Sequence, residues 1–129
     1  TNEYTAGSGS TVSVVRVFLL GGQSNADGRA ATADLAGDPL AAPQPEVLLY
    51  HGNGTSASRP QDKVVNLQPG SAGFPAQWGP ELTFGRDVHA WTGGGGAVRT
   101  AIIKRSQGGT SLAADWAAGG DGRVFSSAG

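Results

Sequence analysis

The sequence predicts an α/β domain built on a parallel sheet, and three observations predict it. Val12 to Leu20 is a near-continuous β-branched and aliphatic run, the pattern of a strand covered on both faces. Gly79 to Trp91 reads as a helix, with Pro80 in its first turn, Glu81 near its positive end, and Leu82, Phe84, Val88 and Trp91 as apolar positions. Val98 to Lys104 is a second buried-type strand. Strand, helix and strand in this order form a right-handed βαβ unit, which sets the carboxyl ends of both strands on one edge of the sheet.

Glycine clusters separate these elements. Gly21-Gly22 ends the first strand, and Ser24 stands where a helix would begin. Gly37 to Pro45 and Gly52 to Pro60 read as surface loops around two shorter strand candidates, Val47 to Tyr50 and Val64 to Leu67. Gly93 to Gly96 stops the helix, and no Lys-Ser/Thr follows it as a phosphate loop requires. Gly108-Gly109-Thr110 lies just past the second long strand, and Gly119 to Gly122 forms a last cluster.

Composition narrows the function classes. With 129 residues, 38% of them hydrophobic, and a formal charge of −1, the chain is neither a disordered polyanion nor a basic nucleic-acid binder. Cysteine is absent, which removes disulfides, thiolate metal sites and cysteine nucleophiles. Asp34, Asp38, Glu46 and Asp62 lie in polar connections and read as solvated charges, so no metal or cofactor is expected. The run Val12 to Leu20 contains Ser13 and Arg16 and is too short to cross a bilayer. Asn53-Gly54-Thr55 is a sequon that matters only in a eukaryotic secretory setting. The chain opens on Thr1 with a polar lead over residues 1–11, read as a flexible segment left by a removed leader or tag; the expected setting is secreted or periplasmic.

Two loops at one sheet edge then carry Gly21-Gly22-Gln23-Ser24-Asn25 and Ser106-Gln107-Gly108-Gly109-Thr110. Acyl transfer needs a nucleophile and N–H donors aimed at the developing oxyanion, and glycine leaves such a donor open to a substrate oxygen. Plain tight turns are the alternative reading of each Gly-Gly pair. Trp78 and Trp116 flank the two blocks, as sugar-stacking walls or as core residues.

Gly22-Gln23-Ser24-Asn25 with Gly28-Arg29, Gly79-Pro80-Glu81 opening a helix, and Lys104 with Gly108-Gly109-Thr110-Ser111-Leu112 and Trp116 together resemble one family. It is the sialate O-acetylesterase and acetylxylan-esterase-like branch of the SGNH hydrolases, the carbohydrate esterase family 6 type. The match runs from Val12 to Trp116. The resemblance implies a flavodoxin-like three-layer α/β/α fold, of which residues 1–129 form the N-terminal part. It also implies a serine esterase that removes O-acetyl groups from carbohydrates. Ser24 would be the nucleophile; its own N–H and that of Gly108 would be the oxyanion donors, with Gly109 the near miss. Gln23, Asn25, Glu81 and Thr110 would support the loops or touch substrate. Ala26 stands where the family often has methionine, and Asp27 precedes Gly28; neither is expected to touch the chemistry.

A serine hydroxyl needs a base. The family supplies it from an Asp-x-x-His pair near its C-terminus, which this chain lacks: the residues three before His51 and His89 are Leu48 and Arg86. The family's tryptophan-containing Gln-Gly-Glu block is also missing. His89 falls late in its helix, away from the Ser24 edge, and His51 reads as a turn residue, solvated or simply hydrogen-bonded. The chain is therefore expected to be nearly inactive alone, its base and remaining strands carried by a second polypeptide or by lost residues, because a truncated sheet leaves an apolar edge that seeks a partner. The rival readings are a non-catalytic carbohydrate-binding or assembly fragment and an SGNH lipase or thioesterase; no apolar lid favours the latter.

Overall fold

The computed structural model describes residues 4–5, 11–12, 14–52, 63–72, 74–94, 97–111 and 115–116. The elements follow in the order β1 (Tyr4–Thr5), β2 (Thr11–Val12), β3 (Val14–Gly22), α1 (Ser24–Asp27), β4 (Ala30–Ala31), β5 (Gln44–His51), β6 (Val64–Leu67), β7 (Gln77–Trp78), α2 (Glu81–Trp91) and β8 (Val98–Ser106). Two short 3-10 turns, Thr32–Leu35 and Pro39–Ala41, lie between β4 and β5. The main sheet has the order β3-β8-β5-β6; β1 pairs with β2 and β4 with β7. The sequon at Asn53, Asp62, Leu112 and the Gly119 to Gly122 cluster fall outside the described residues.

Both long strands form where expected and lie side by side in parallel, in register from Val14↔Val98 to Gly22↔Ser106. Both run further than their apolar patterns: β3 takes in Gly21 and Gly22, and β8 takes in Arg105 and Ser106. β5 also pairs with β8 in parallel, but β6 runs antiparallel to β5, so the sheet is mixed. A parallel neighbour requires a crossover connection, as between β3 and β8, whereas β5 and β6 are consecutive and antiparallel.

The core lies between this sheet and α2, where Val47, Leu49, Leu67, Leu82 and Ile102 are buried. Phe18 and Phe84 meet edge to face, with ring centroids 5.8 Å apart. Trp91 is 81% exposed, contrary to its expected place on the apolar face, because it falls about half a turn round the helix from Leu82. The expectation that the first strand is covered on both faces also fails. Strand alternation turns Phe18 and Leu20 toward the core and leaves Val15, Val17 and Leu19 48%, 56% and 78% exposed on the opposite face.

Candidate active site

β3 ends at Gly22, and the chain turns through Gln23 into the single helical turn α1. The Gln23 side chain organises that turn: its Oε1 accepts from the Ser24 hydroxyl at 2.6 Å and from the Ser24 N–H at 3.2 Å. Its Nε2 donates to the carbonyl of Thr110 at 3.1 Å, so one side chain ties the Ser24 turn to the β8 loop. Asn25 is exposed at the rim. Gly28 closes the turn at φ 85° against the backbone of Gly79, where a Cβ would lie 2.2 Å from the Gly79 Cα.

The β8 loop meets this turn from the neighbouring strand. The Gln107 N–H donates to the Gly22 carbonyl at 3.1 Å, and a Cβ on Gly108 would stand 3.9 Å from that of Ser24. Gly109, at φ 77°, faces open space and lies further from the serine. Thr110 Oγ1 donates to the Gln107 carbonyl at 2.7 Å and accepts from Trp116 Nε1 at 2.9 Å. Trp116 lies over Gly21, and together with Gly22, Gln23 and Thr110 they line a cavity of about 430 Å³ beside the serine. Trp78 instead packs against the core, its Nε1 bonded to the Ala31 carbonyl.

Beneath the turn lies a buried polar network. Lys104, fully buried on β8, donates from Nζ to Glu81 Oε2 at 2.6 Å and to the Asp27 carbonyl at 2.9 Å. Glu81 Oε1 accepts from the Gly79 N–H at 3.0 Å. Asp27, 3% exposed, takes Ser106 Oγ on Oδ1 at 3.0 Å and Arg29 on Oδ2 at 3.2 Å. His51 Nε2 lies 3.1 Å from the same Ser106 Oγ, so Ser106 stands between His51 and Asp27.

The structure brings Ser24, Gln23, Gly108 and Thr110 together, and sets Glu81 below them as loop support. It corrects His51, which is no turn residue: it ends β5 and is 1% exposed. His89 is bonded to Thr100 Oγ1 at 3.1 Å, away from the serine. Asp27, Lys104 and Ser106 escaped sequence reasoning as site residues. A signal existed for two of them, since Thr100, Ile102, Lys104 and Ser106 share one strand face by the period of two. Among the described residues, no group of three or more acidic or histidine side chains is placed to hold a metal ion. No helix among them is long and apolar enough to cross a membrane.

Parallel strands, a covering helix and paired loops at one carboxyl edge define an α/β protein of SGNH-like fold. The chain belongs to the carbohydrate esterase, sialic acid-specific acetylesterase family, whose model matches residues 14–128. Among solved structures, the fold is similar to that of an Arabidopsis thaliana protein at 17% identity, with a TM-score of 0.56 over 85% of this chain and 47% of that one. It is also similar to NanS at 16% identity, with a TM-score of 0.53 over 80% of this chain and 38% of that one. The chain thus spans less than half the length of either structure. No curated protein matches it.

Proposed function

We propose that this chain carries the nucleophile of a serine esterase that removes O-acetyl groups from carbohydrates. One observation carries the reading: in a carbohydrate-esterase family member, Ser24 and Gly108 meet at the shared edge of two parallel strands. Ser24 Oγ attacks the acetyl carbonyl, and the oxyanion takes N–H bonds from Ser24 and Gly108. Gln23 Oε1 now holds both the hydroxyl and the N–H of Ser24, so the substrate oxygen displaces it on entry. The sugar alcohol leaves with a proton, and water then cleaves the acyl-serine. The Trp116 wall beside Ser24 suits the apolar face of a sugar ring.

Neither histidine is hydrogen-bonded to Ser24, since His51 pairs with Ser106 and His89 with Thr100, and the sequence holds no third. The base therefore comes from polypeptide outside these 129 residues, which also covers the open face of β3. Mass spectrometry and gel filtration of the purified protein test this point. A soluble, active monomer of 12.9 kDa with no companion would overturn it.

The reaction is tested with p-nitrophenyl acetate and an acetylated sugar on the full-length gene product. Ser24→Ala is expected to lower turnover by roughly 10⁶, the scale on which serine hydrolases lose activity without their nucleophile. Equal rates would remove Ser24 from the mechanism and leave a carbohydrate-binding role.

A further inference from the structure

Acyl transfer at Ser24 makes no direct use of Lys104, yet a fully buried ammonium is costly unless its charge and all its donors are matched. Glu81 matches the charge at 2.6 Å. The other contact is more telling. Asp27 ends α1, and its carbonyl is one of the acceptors that a helix leaves unpaired at its negative end. Lys104 fills it from below at 2.9 Å. Two residues on, Ser106 binds the same aspartate through its carboxylate at 3.0 Å, and two residues further the strand delivers Gly108 beside Ser24. Glu81 in turn holds the Gly79 N–H, and Gly79 packs on Gly28, which follows Asp27 and closes the nucleophile turn.

The geometry points to Lys104 as a positioning residue, neutralised by Glu81, that fixes the Ser24 turn relative to the β8 loop and so sets the gap between nucleophile and oxyanion donor. The inference rests on the esterase reading above. Lys104 touches neither substrate nor reacting atoms; it acts through the Asp27 carbonyl. A misplacement of about 1 Å costs on the order of 10²-fold in rate, whereas the Trp116 wall proposed for the sugar rests on Gly21 of β3, ahead of the Ser24 turn, so ground-state binding is expected to change less.

The test separates positioning from simple support of the fold. In the full-length gene product, Lys104→Met alone leaves Glu81 buried without its counter-charge and lowers both stability and rate. Lys104→Met with Glu81→Gln removes both charges, keeps the volumes, and preserves the Gly79 bond to residue 81. Neutral replacement of a buried pair often leaves stability unharmed. The expected result for the double variant is a melting temperature close to wild type, with kcat down roughly 10- to 100-fold and KM within about 3-fold. All rates are measured at a temperature where circular dichroism shows each variant folded. A double variant that recovers wild-type kcat along with its stability would overturn the inference, as would a loss confined to KM. Ser24→Ala, run alongside, keeps the two readings apart. If it retains activity, the esterase reading falls and takes this one with it; if it is dead while the double variant is fully active, only the positioning role falls.

Discussion

The two faces of the main sheet differ in what they cover. The face under α2 carries the apolar core of Val47, Leu49, Leu67, Leu82 and Ile102 and buries Lys104, Glu81, Asp27, Ser106 and His51 beside it, while the opposite face exposes Val15, Val17, Leu19 and Ile103. Buried charge survives only where partners are set with care, and here Lys104 and Ser106 of β8 are partnered by Asp27 at the end of α1 and Glu81 at the start of α2. Exposed aliphatics at three alternate positions of β3 are the opposite case: they carry no directional bonds. The buried polar network therefore fixes geometry at the site, whereas the exposed aliphatics fix none.

The sharpest way to break this comparison is to remove one charge from the buried network. Lys104→Met alone should destabilise the protein by about 3–5 kcal/mol, because the Glu81 carboxylate stays buried and uncompensated. Urea denaturation of the full-length product measures it. A cost below about 1 kcal/mol would mean that water reaches the pair, as for surface ion pairs.

Next in size is the backbone contact that the network supports. Gly28→Ala brings a Cβ to 2.2 Å from the Gly79 Cα at φ 85°. Strain alone costs on the order of 1–3 kcal/mol, and the clash adds to it, so a loss of about 3 kcal/mol is expected together with most of the esterase rate. Full activity in this variant would show that the turn and the start of α2 need not touch. Smaller again is Gly85→Ala, whose Cβ would lie 2.4 Å from Leu67 Cδ2 and 3.1 Å from Ile102 and Val47. The flexible leucine end can move, so overpacking should cost about 1–3 kcal/mol in thermal melts.

The sequence made legible whatever depends on periodicity and punctuation. The β3, α2 and β8 elements follow from aliphatic runs bounded by glycines, and the Ser24 turn follows from a strand that stops short of a serine. Long-range pairing was harder to read. That β8 inserts between β3 and β5 depends on the crossover, and only this order places Ser106 between His51 and Asp27. Asp27 looked like a loop carboxylate of no consequence, because nothing local marks a side chain whose partners are 79 and 2 residues away. His51 was misread for the same reason: the glycine after it suggests a turn, but the pairing of β5 with β8 draws it into the sheet.

The smallest expected effect is the most informative about the apolar face. Leu19 is 78% exposed, so in the 129-residue chain Leu19→Ser should shift unfolding by less than about 0.5 kcal/mol. If polypeptide outside these residues covers β3, the same substitution in the full-length product removes a buried leucine and should cost about 2–5 kcal/mol. The difference between the two measurements, rather than either alone, reports the cover. Equal small costs would mean that the face stays wet in the whole protein. In that case the exposed aliphatics would need a different partner, and the source of the base would have to be sought apart from the cover of the sheet.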